Sequence, residues 1–277
     1  MMTAIHFKIL QRQLKFRNPN HWLQIPEGHS FSKSDYLSAC AYMENLKKHS
    51  ISWTHPGDSN YPAAFYRMKE PPLFFEFRGK PFWSEYPCLA VVGARKIHSL
   101  TERWMNLHLA DYLAARKVCV VSGGAYGVDQ LAHALALKKS NPTVVIVPSG
   151  LVQIYPKILE SQLAALDSSL VCYLSEFEIE QKLNKSHFYF RNRLIAALGE
   201  MVLITQADTR SGSLLTVHHA LENGKVVLTI PAHPEQVGFA GNLKLLQDGA
   251  GLITTSLDLL QIWNAETMSD FAISTQG

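Results

Sequence analysis

The stretch VCVVSGGAYGVDQLAHALAL, Val118–Leu137, holds a strand, a turn and a helix in succession. Val118–Val121 is apolar and β-branched without polar alternation, as a strand buried on both faces requires. Ser122-Gly123-Gly124 ends it, and glycine lets a backbone turn tightly and approach a ligand. Gly127 opens a helical stretch of about 126–139. Asp129 falls in its first turn, where a carboxylate favours the helix dipole. His133, one turn on, reads as a packed or capping group rather than a catalytic one.

The same grammar repeats outward from this stretch. Apolar runs occur at Cys88–Val92, Thr143–Val147, Leu170–Leu174, Met201–Thr205 and Val226–Ile230. Helical patterns fill about 99–116, 156–168, 190–198 and 213–223, with a shorter one near 242–248. Repeated strand–helix units with right-handed crossovers predict a doubly wound, mostly parallel α/β sheet. Residues 1–80 read differently. Ser32-Lys33-Ser34 caps a helix running to about Lys48, and Pro56, Tyr61-Pro62 and Pro71-Pro72 then mark a small, irregular lead-in. The expected organisation is a small helical region at 1–50, the α/β domain at 51–264 and a polar tail at 265–277.

In a parallel sheet the turns after the strands gather at one edge. Gly93-Ala94-Arg95, Ser122-Gly123-Gly124 and Ser211-Gly212-Ser213 are then neighbours, each ahead of a helix whose N–H groups attract anions. Several phosphate-sized seats side by side suit a polymer of phosphates better than one cofactor. Arg95 and Lys96 project from the first turn, and Arg210 adds charge beside the third. Lys157, after Tyr155-Pro156, stands at another helix start. Phe188, Tyr189 and Phe190 precede Arg191-Asn192-Arg193, and aromatics beside arginines can stack unpaired bases. Arg191 and Arg193 are expected at the helix start, where cations oppose the dipole by about 0.3–1 kcal/mol each. That arrangement calls for an anion: an internal one such as Glu176 or Glu178, or a phosphate held in bidentate fashion. Gly241-Asn242 opens the short helix near 242–248, where Asn242 either caps it or closes one side of the cleft.

Composition narrows the field. The net charge is +3, but residues 1–80 carry 11 Lys and Arg against 6 Asp and Glu, and residues 81–277 carry 15 against 17. An α/β part with no cationic excess must hold nucleic acid with placed cations rather than bulk charge. The run at Gly93 lacks G-x-G-x-x-G, and the carboxylate that would anchor a ribose is absent where Ser122-Gly123-Gly124 stands, which argues against a nicotinamide cofactor. Cys40, Cys88, Cys119 and Cys172 are spaced too widely for a zinc pair or a redox motif, and read as buried free thiols of a reducing cytosol. His218 and His219 are adjacent and face different ways, a poor metal pair. No segment is apolar enough to span a bilayer, and a cytoplasmic protein without metal or cofactor is expected.

In this order the motifs resemble the DNA-processing protein A family of bacteria, known as DprA or Smf. The likeness runs from Trp53 to about Leu260, through Asp58, Tyr61-Pro62, Pro71-Pro72, Gly93-x-Arg95 and Ser122-Gly123-x-Ala125-x-Gly127-x-Asp129. It continues through Tyr155-Pro156, Arg191-Asn192-Arg193, Ser211-Gly212-Ser213-Leu214 and Gly241-Asn242. The resemblance implies an extended Rossmann-like fold that binds single-stranded DNA, forms a homodimer, protects incoming DNA and loads the recombinase RecA in natural transformation. No catalytic activity is implied. By the same likeness Arg95 is a DNA-contacting arginine and Ser122, Gly123 and Gly124 form a phosphate-contacting turn. Lys157, Phe188, Arg191 and Arg193 fall at or near further contacts. Gly93, Lys96, Asn192, Ser211, Gly212, Ser213 and Asn242 complete the expected DNA-binding set. The chain departs from the pattern at Gln206, where an acidic residue is common, and at Ala232, where glycine is. A C-terminal winged helix is not expected.

Two rival readings remain open on the residues. A phosphoribohydrolase-like enzyme would use glycine-rich turns with a Glu and an Arg, for which Glu222 and Arg193 stand available. Against it, Glu222 lies nine residues, about 13 Å of helix, from Ser213. The blander alternative is a scaffold whose turns carry no ligand.

Overall fold

The computed structural model describes residues 2–14 and 31–274, with side chains described for 2–13 and 31–265. Residues 15–30 of the expected N-terminal region and the last three of the expected tail lie outside these. Two helices come first, α1 (Ala4–Leu14) and α2 (Lys33–Lys48). Ser32 caps α2: its hydroxyl oxygen accepts from the Asp35 amide at 3.0 Å. Strands β1 (Ser52–Thr54) and β2 (Phe75–Arg78) follow, and then β3 (Cys88–Val92). One continuous helical stretch is made of α3 (Ser99–Trp104), a π-helical turn at Met105–Leu109, and α4 (Ala110–Ala115).

The alternation then proceeds through β4 (Cys119–Ser122), α5 (Val128–Lys138), β5 (Thr143–Ile146), α6 (Ile158–Asp167) and β6 (Val171–Ser175). It continues with α7 (His187–Leu198), β7 (Met201–Ile204), α8 (Ser213–Glu222), β8 (Val226–Thr229), α9 (Ala240–Gln247) and β9 (Gly251–Leu252). The last helix, α10 (Ser256–Ser274), carries helical backbone through most of the stretch expected to be a polar tail.

The strands form one sheet in the order β1-β2-β6-β5-β4-β3-β7-β8-β9. From β6 to β9 every neighbour is parallel. The lead-in is not merely irregular: β2 pairs antiparallel with β6, and β1 with β2, so it extends the sheet by two strands. Strands of three and four residues among prolines carry no period that sequence reading can detect.

Side-chain alternation sorts the helices to two faces. Ala90, Val92, Val121, Val144 and Cys172 face α7, α8 and the aromatic lead-in residues Phe65 and Phe82. Leu89, Val91 and Val120 face the helices around Met105, Leu113, Ala132 and Trp263. Over the β5–β6 end of that second face lie α1, α2 and α6, through Phe7, Leu10, Tyr42, Leu46, Leu159 and Leu163. The N-terminal helices thus share a core with the sheet. Cys88, Cys119 and Cys172 are buried free thiols, and Cys40 is half-buried.

Candidate functional site

The chain runs from β3 outward through β4, β5 and β6, then returns to place β7 on the other side of β3. Loops leaving β3 and β7 therefore part, and a crevice opens beyond the strand ends, as it does at the switch point of any doubly wound sheet. A cleft of about 230 Å³ lies there. Gly93 and Arg95 line it from the β3 loop, Asp129 from α5, Phe188, Arg191 and Asn192 from α7, and Ser211-Gly212-Ser213 from the start of α8. A smaller hollow continues from it past Gly123, Tyr126 and Tyr155.

Close packing of turns builds the floor. Gly127 has φ +82°, and a Cβ there would stand 2.4 Å from the Ala94 carbonyl oxygen, so the β3 turn and the start of α5 touch only because this residue is glycine. Gly123 meets a side chain instead: a Cβ would stand 1.3 Å from Nη1 of Arg191. The guanidinium therefore packs directly on that turn, in space that only a glycine leaves free. Gln206 ties the parted loops together, its Oε1 accepting from the His98 amide at 2.8 Å and its Nε2 donating to the Lys96 carbonyl at 3.4 Å.

Arg191 is only 5% exposed. Its one carboxylate neighbour, Asp129, lies 3.7 Å away, beyond hydrogen-bonding distance, and Nε has no partner among the described residues. Burial pushes Arg191 below the usual arginine range; Asp129 opposes that and Arg95 adds to it. Arg95 is exposed, with its guanidinium 5.1 Å from the Phe188 ring centroid, and the Arg191 guanidinium is 5.4 Å from the same ring. Two cations and a half-buried aromatic therefore meet at the mouth.

Several expected members stand elsewhere. Arg193 is turned to the opposite side of α7, where it donates to the Glu176 carboxylate and to the Glu70 carbonyl, both short contacts. Of the anions expected for this arginine pair, an internal Glu176 or Glu178 or a phosphate, Arg193 has Glu176. The dipole argument also falls away: α7 begins at His187, so Arg191 and Arg193 lie beyond the first turn, where the dipole acts. Asn242 is fully buried. It accepts from the Ala207 amide at 2.7 Å and donates to Thr229 Oγ1 at 2.9 Å, which braces the ends of β7 and β8 from behind the cleft. Ser122 is buried and donates its hydroxyl to the Val91 carbonyl at 2.6 Å.

The Ser122-Gly123-Gly124 turn is not the open row of amides expected: Oδ2 of Asp129 accepts from Gly123 N at 3.2 Å and Ala125 N at 3.3 Å. Gly124 packs against Leu159 and Val145. Lys96 and Lys157 are exposed and line neither hollow. Sequence reading missed Tyr126 and Tyr155, 47% and 46% exposed at the smaller hollow; aromatics inside a glycine turn and beside a proline were the available signal.

Arg193 and Glu222 do share a hollow, of about 70 Å³, with Tyr189 and His219. No glycine turn lines it, Arg193 is committed to Glu176, and Glu222 is bonded to His219 at 3.2 Å. The arrangement lacks the phosphate seats that the phosphoribohydrolase reading needs beside these two groups. Among the described residues no cluster of His, Cys, Asp and Glu could hold a metal ion, and no helix is long and apolar enough to cross a membrane.

Residues 52–264 match the family described as DNA recombination-mediator protein A. The DNA processing protein DprA of Bacillus subtilis is 32% identical over 202 residues, which is 73% of this chain and 67% of that protein. The DprA of Streptococcus pneumoniae is 31% identical over 203 residues, 73% of this chain and 71% of its own length. The chain spans about two thirds of the length of these relatives. Among solved structures, S. pneumoniae DprA superposes with a TM-score of 0.78 at 25% identity, covering 94% of this chain and 98% of the other. Helicobacter pylori DNA processing protein A, described for its single-stranded DNA binding mode, gives 0.67 at 29% identity over 78% of this chain and 96% of its own. With three quarters of its sequence under one family and its Rossmann-like sheet shared with two solved members, the chain belongs to the DNA recombination-mediator protein A family.

Proposed function

We propose that the cleft at the β3–β7 switch point binds the backbone of single-stranded DNA, with bases stacking on Phe188 and the rim tyrosines. The observation that carries this is the meeting of Arg95, Arg191 and Phe188 at the mouth of a cleft whose far wall is the start of α8. Phosphates are then held by placed guanidinium groups and bases by aromatic faces, which is recognition with little sequence preference. The H. pylori relative, described as binding single-stranded DNA, supports the reading. Within it, this chain acts as a non-catalytic cytoplasmic homodimer that shields incoming DNA and passes it to the RecA recombinase in natural transformation.

Fluorescence anisotropy with labelled oligo-dT tests the site. Arg95→Ala should weaken binding and make the log–log salt dependence shallower by about 0.7 for one lost phosphate contact. Unchanged titrations for both Arg95→Ala and Arg191→Gln would remove the cleft from the DNA path. Release of free base from nucleoside monophosphates, without oligonucleotide binding, would favour the enzyme reading instead. Light scattering checks the dimer, and RecA filament assembly on protein-coated DNA checks the hand-over.

A further inference from the structure

Arg191 has five N–H donors, and no protein group among the described residues accepts a hydrogen bond from any of them. Such a group, buried to 95%, is the opposite of a settled structural ion pair. Its neighbour Asp129 is equally unusual. The carboxylate is itself buried, with its side chain 6% exposed, and it forms part of the cleft wall. One oxygen, Oδ2, takes the Gly123 and Ala125 amides at 3.2 and 3.3 Å while lying 3.7 Å from the Arg191 guanidinium. Two turn amides and a guanidinium around one anionic oxygen are the set a phosphate oxygen would seek. Burial pushes the Asp129 carboxyl up, against the pull of Arg191 and of those amides, so the charge is held there at some expense.

We propose that Asp129 is a built-in competitor for the strand's phosphate: it balances Arg191 in the free protein, and a DNA phosphate takes its place as the partner of that guanidinium. This rests on the cleft being the DNA site. Asp129 does not need to leave the turn. It needs only to lose Arg191, whose donors it never satisfied, to an acceptor that reaches them. Giving up that pairing costs energy each time a phosphate binds, so affinity at this position stays below what the cation alone would give. The device limits how tightly one phosphate is gripped, which suits a protein that must later release its strand.

The test uses the full chain and labelled oligo-dT between 50 and 200 mM salt. Asp129→Asn keeps an oxygen for the turn amides and removes the charge. It should bind about tenfold more tightly, as expected when a phosphate no longer has to displace one carboxylate paired with Arg191 at 3.7 Å in a partly screened site. Asp129→Ser, a second neutral acceptor, should gain in the same direction. Arg191→Gln should weaken binding, and the double variant Asp129→Asn/Arg191→Gln should match Arg191→Gln alone, because the carboxylate acts through that guanidinium. Neutral variants that bind no more tightly, a gain that survives without Arg191, or failure of both neutral variants to fold would overturn the proposal and leave Asp129 as a brace for its turn. These outcomes separate cleanly from failure of the site itself. If the wild type binds and Arg95→Ala weakens it while Asp129→Asn changes nothing, the DNA site stands and only the competitor falls.

Discussion

Arg191 and Arg193 sit two residues apart on α7, are each 5% exposed, and live opposite lives. At 3.6 residues per turn, two positions are about 200° apart, so one faces the cleft and the other the far side of the helix. Arg193 is closed at both Nη atoms: Nη1 and Nη2 donate to the Glu70 carbonyl and the Glu176 carboxylate, which locks α7 to the lead-in and to the loop after β6, and only its Nε lacks a partner among the described residues. Arg191 is open: its charge has a neighbour, but among the described residues no acceptor takes its donors. Burial alone does not separate a structural arginine from a binding one. What separates them is whether the N–H groups are already used.

Truncating each arginine in turn tests the division most strongly. Arg193→Ala leaves Glu176 buried without its partner, and should cost about 3–5 kcal/mol in urea unfolding, as breaking a buried ion pair does. Its oligo-dT affinity should match wild type wherever it is folded. Arg191→Ala should show the reverse pattern, a smaller loss of stability and a clear loss of binding, because Asp129 keeps its two turn amides. Equal losses of affinity in the two variants would erase the distinction. On the cleft side, Phe188→Ala should remove about 1–3 kcal/mol of single-strand binding for each base that stacks there. Tyr189→Ala, one residue on but beside Arg193 and His219, should remove none.

How far was this division readable beforehand? The strand Cys88–Val92 was, to the residue, because five apolar positions bounded by a glycine admit little else. The switch-point crevice followed from the order of strand–helix units. The start of α7 was not readable. A start at 190 puts both arginines in the first turn, whereas a start at His187 puts both beyond it; the roughly 200° between them is the same for either start. The Asn184 side chain accepts from the Ser186 amide at 3.1 Å, and that turn just ahead of the helix was the overlooked sign. From the residues Asp129 reads as a dipole partner and a member of the glycine-turn motif, because nothing in its spacing reveals that its carboxylate folds back onto the turn six residues earlier. Asn242 has the residue type of a cap or a ligand, and only packing tells that it serves the ends of two other strands.

Behind Arg191 lies a group that reports on its charge. His133 is fully buried, with Nδ1 2.6 Å from Thr143 Oγ1. That hydroxyl gives its own proton to the Val120 carbonyl at 2.7 Å, so Nδ1 must donate and Nε2 is left bare. Burial, reinforced by Arg191, holds the imidazole down at about 3. A depressed folded-state value means the native protein binds fewer protons than the unfolded chain below 6.5. Stability from this group is complete above 6.5 and is lost as pH falls towards 3, by about 1.4 kcal/mol for each pH unit. His133→Gln should flatten that part of the unfolding profile relative to wild type. Superimposable profiles would mean that the pocket behind Arg191 tolerates a second cation.

The smallest effect concerns the lysines. Lys157 and Lys96 belong to the expected DNA-binding set because each stands at a turn or helix start, yet both are exposed and neither lines the cleft or its extension. A solvated ammonium acts on DNA through a field that 0.15 M salt screens over about 8 Å, and exposed pairings are worth roughly 0–1 kcal/mol. Lys157→Ala should therefore weaken oligo-dT binding less than about threefold at that salt. The difference should vanish at higher salt, whereas the Arg191→Gln defect should persist because its cation is buried. If the Lys157→Ala defect instead persists at high salt, the strand reaches past Tyr155 and makes a desolvated contact there. The DNA path would then continue from the smaller hollow onto α6, and openness would no longer be a property of Arg191 alone.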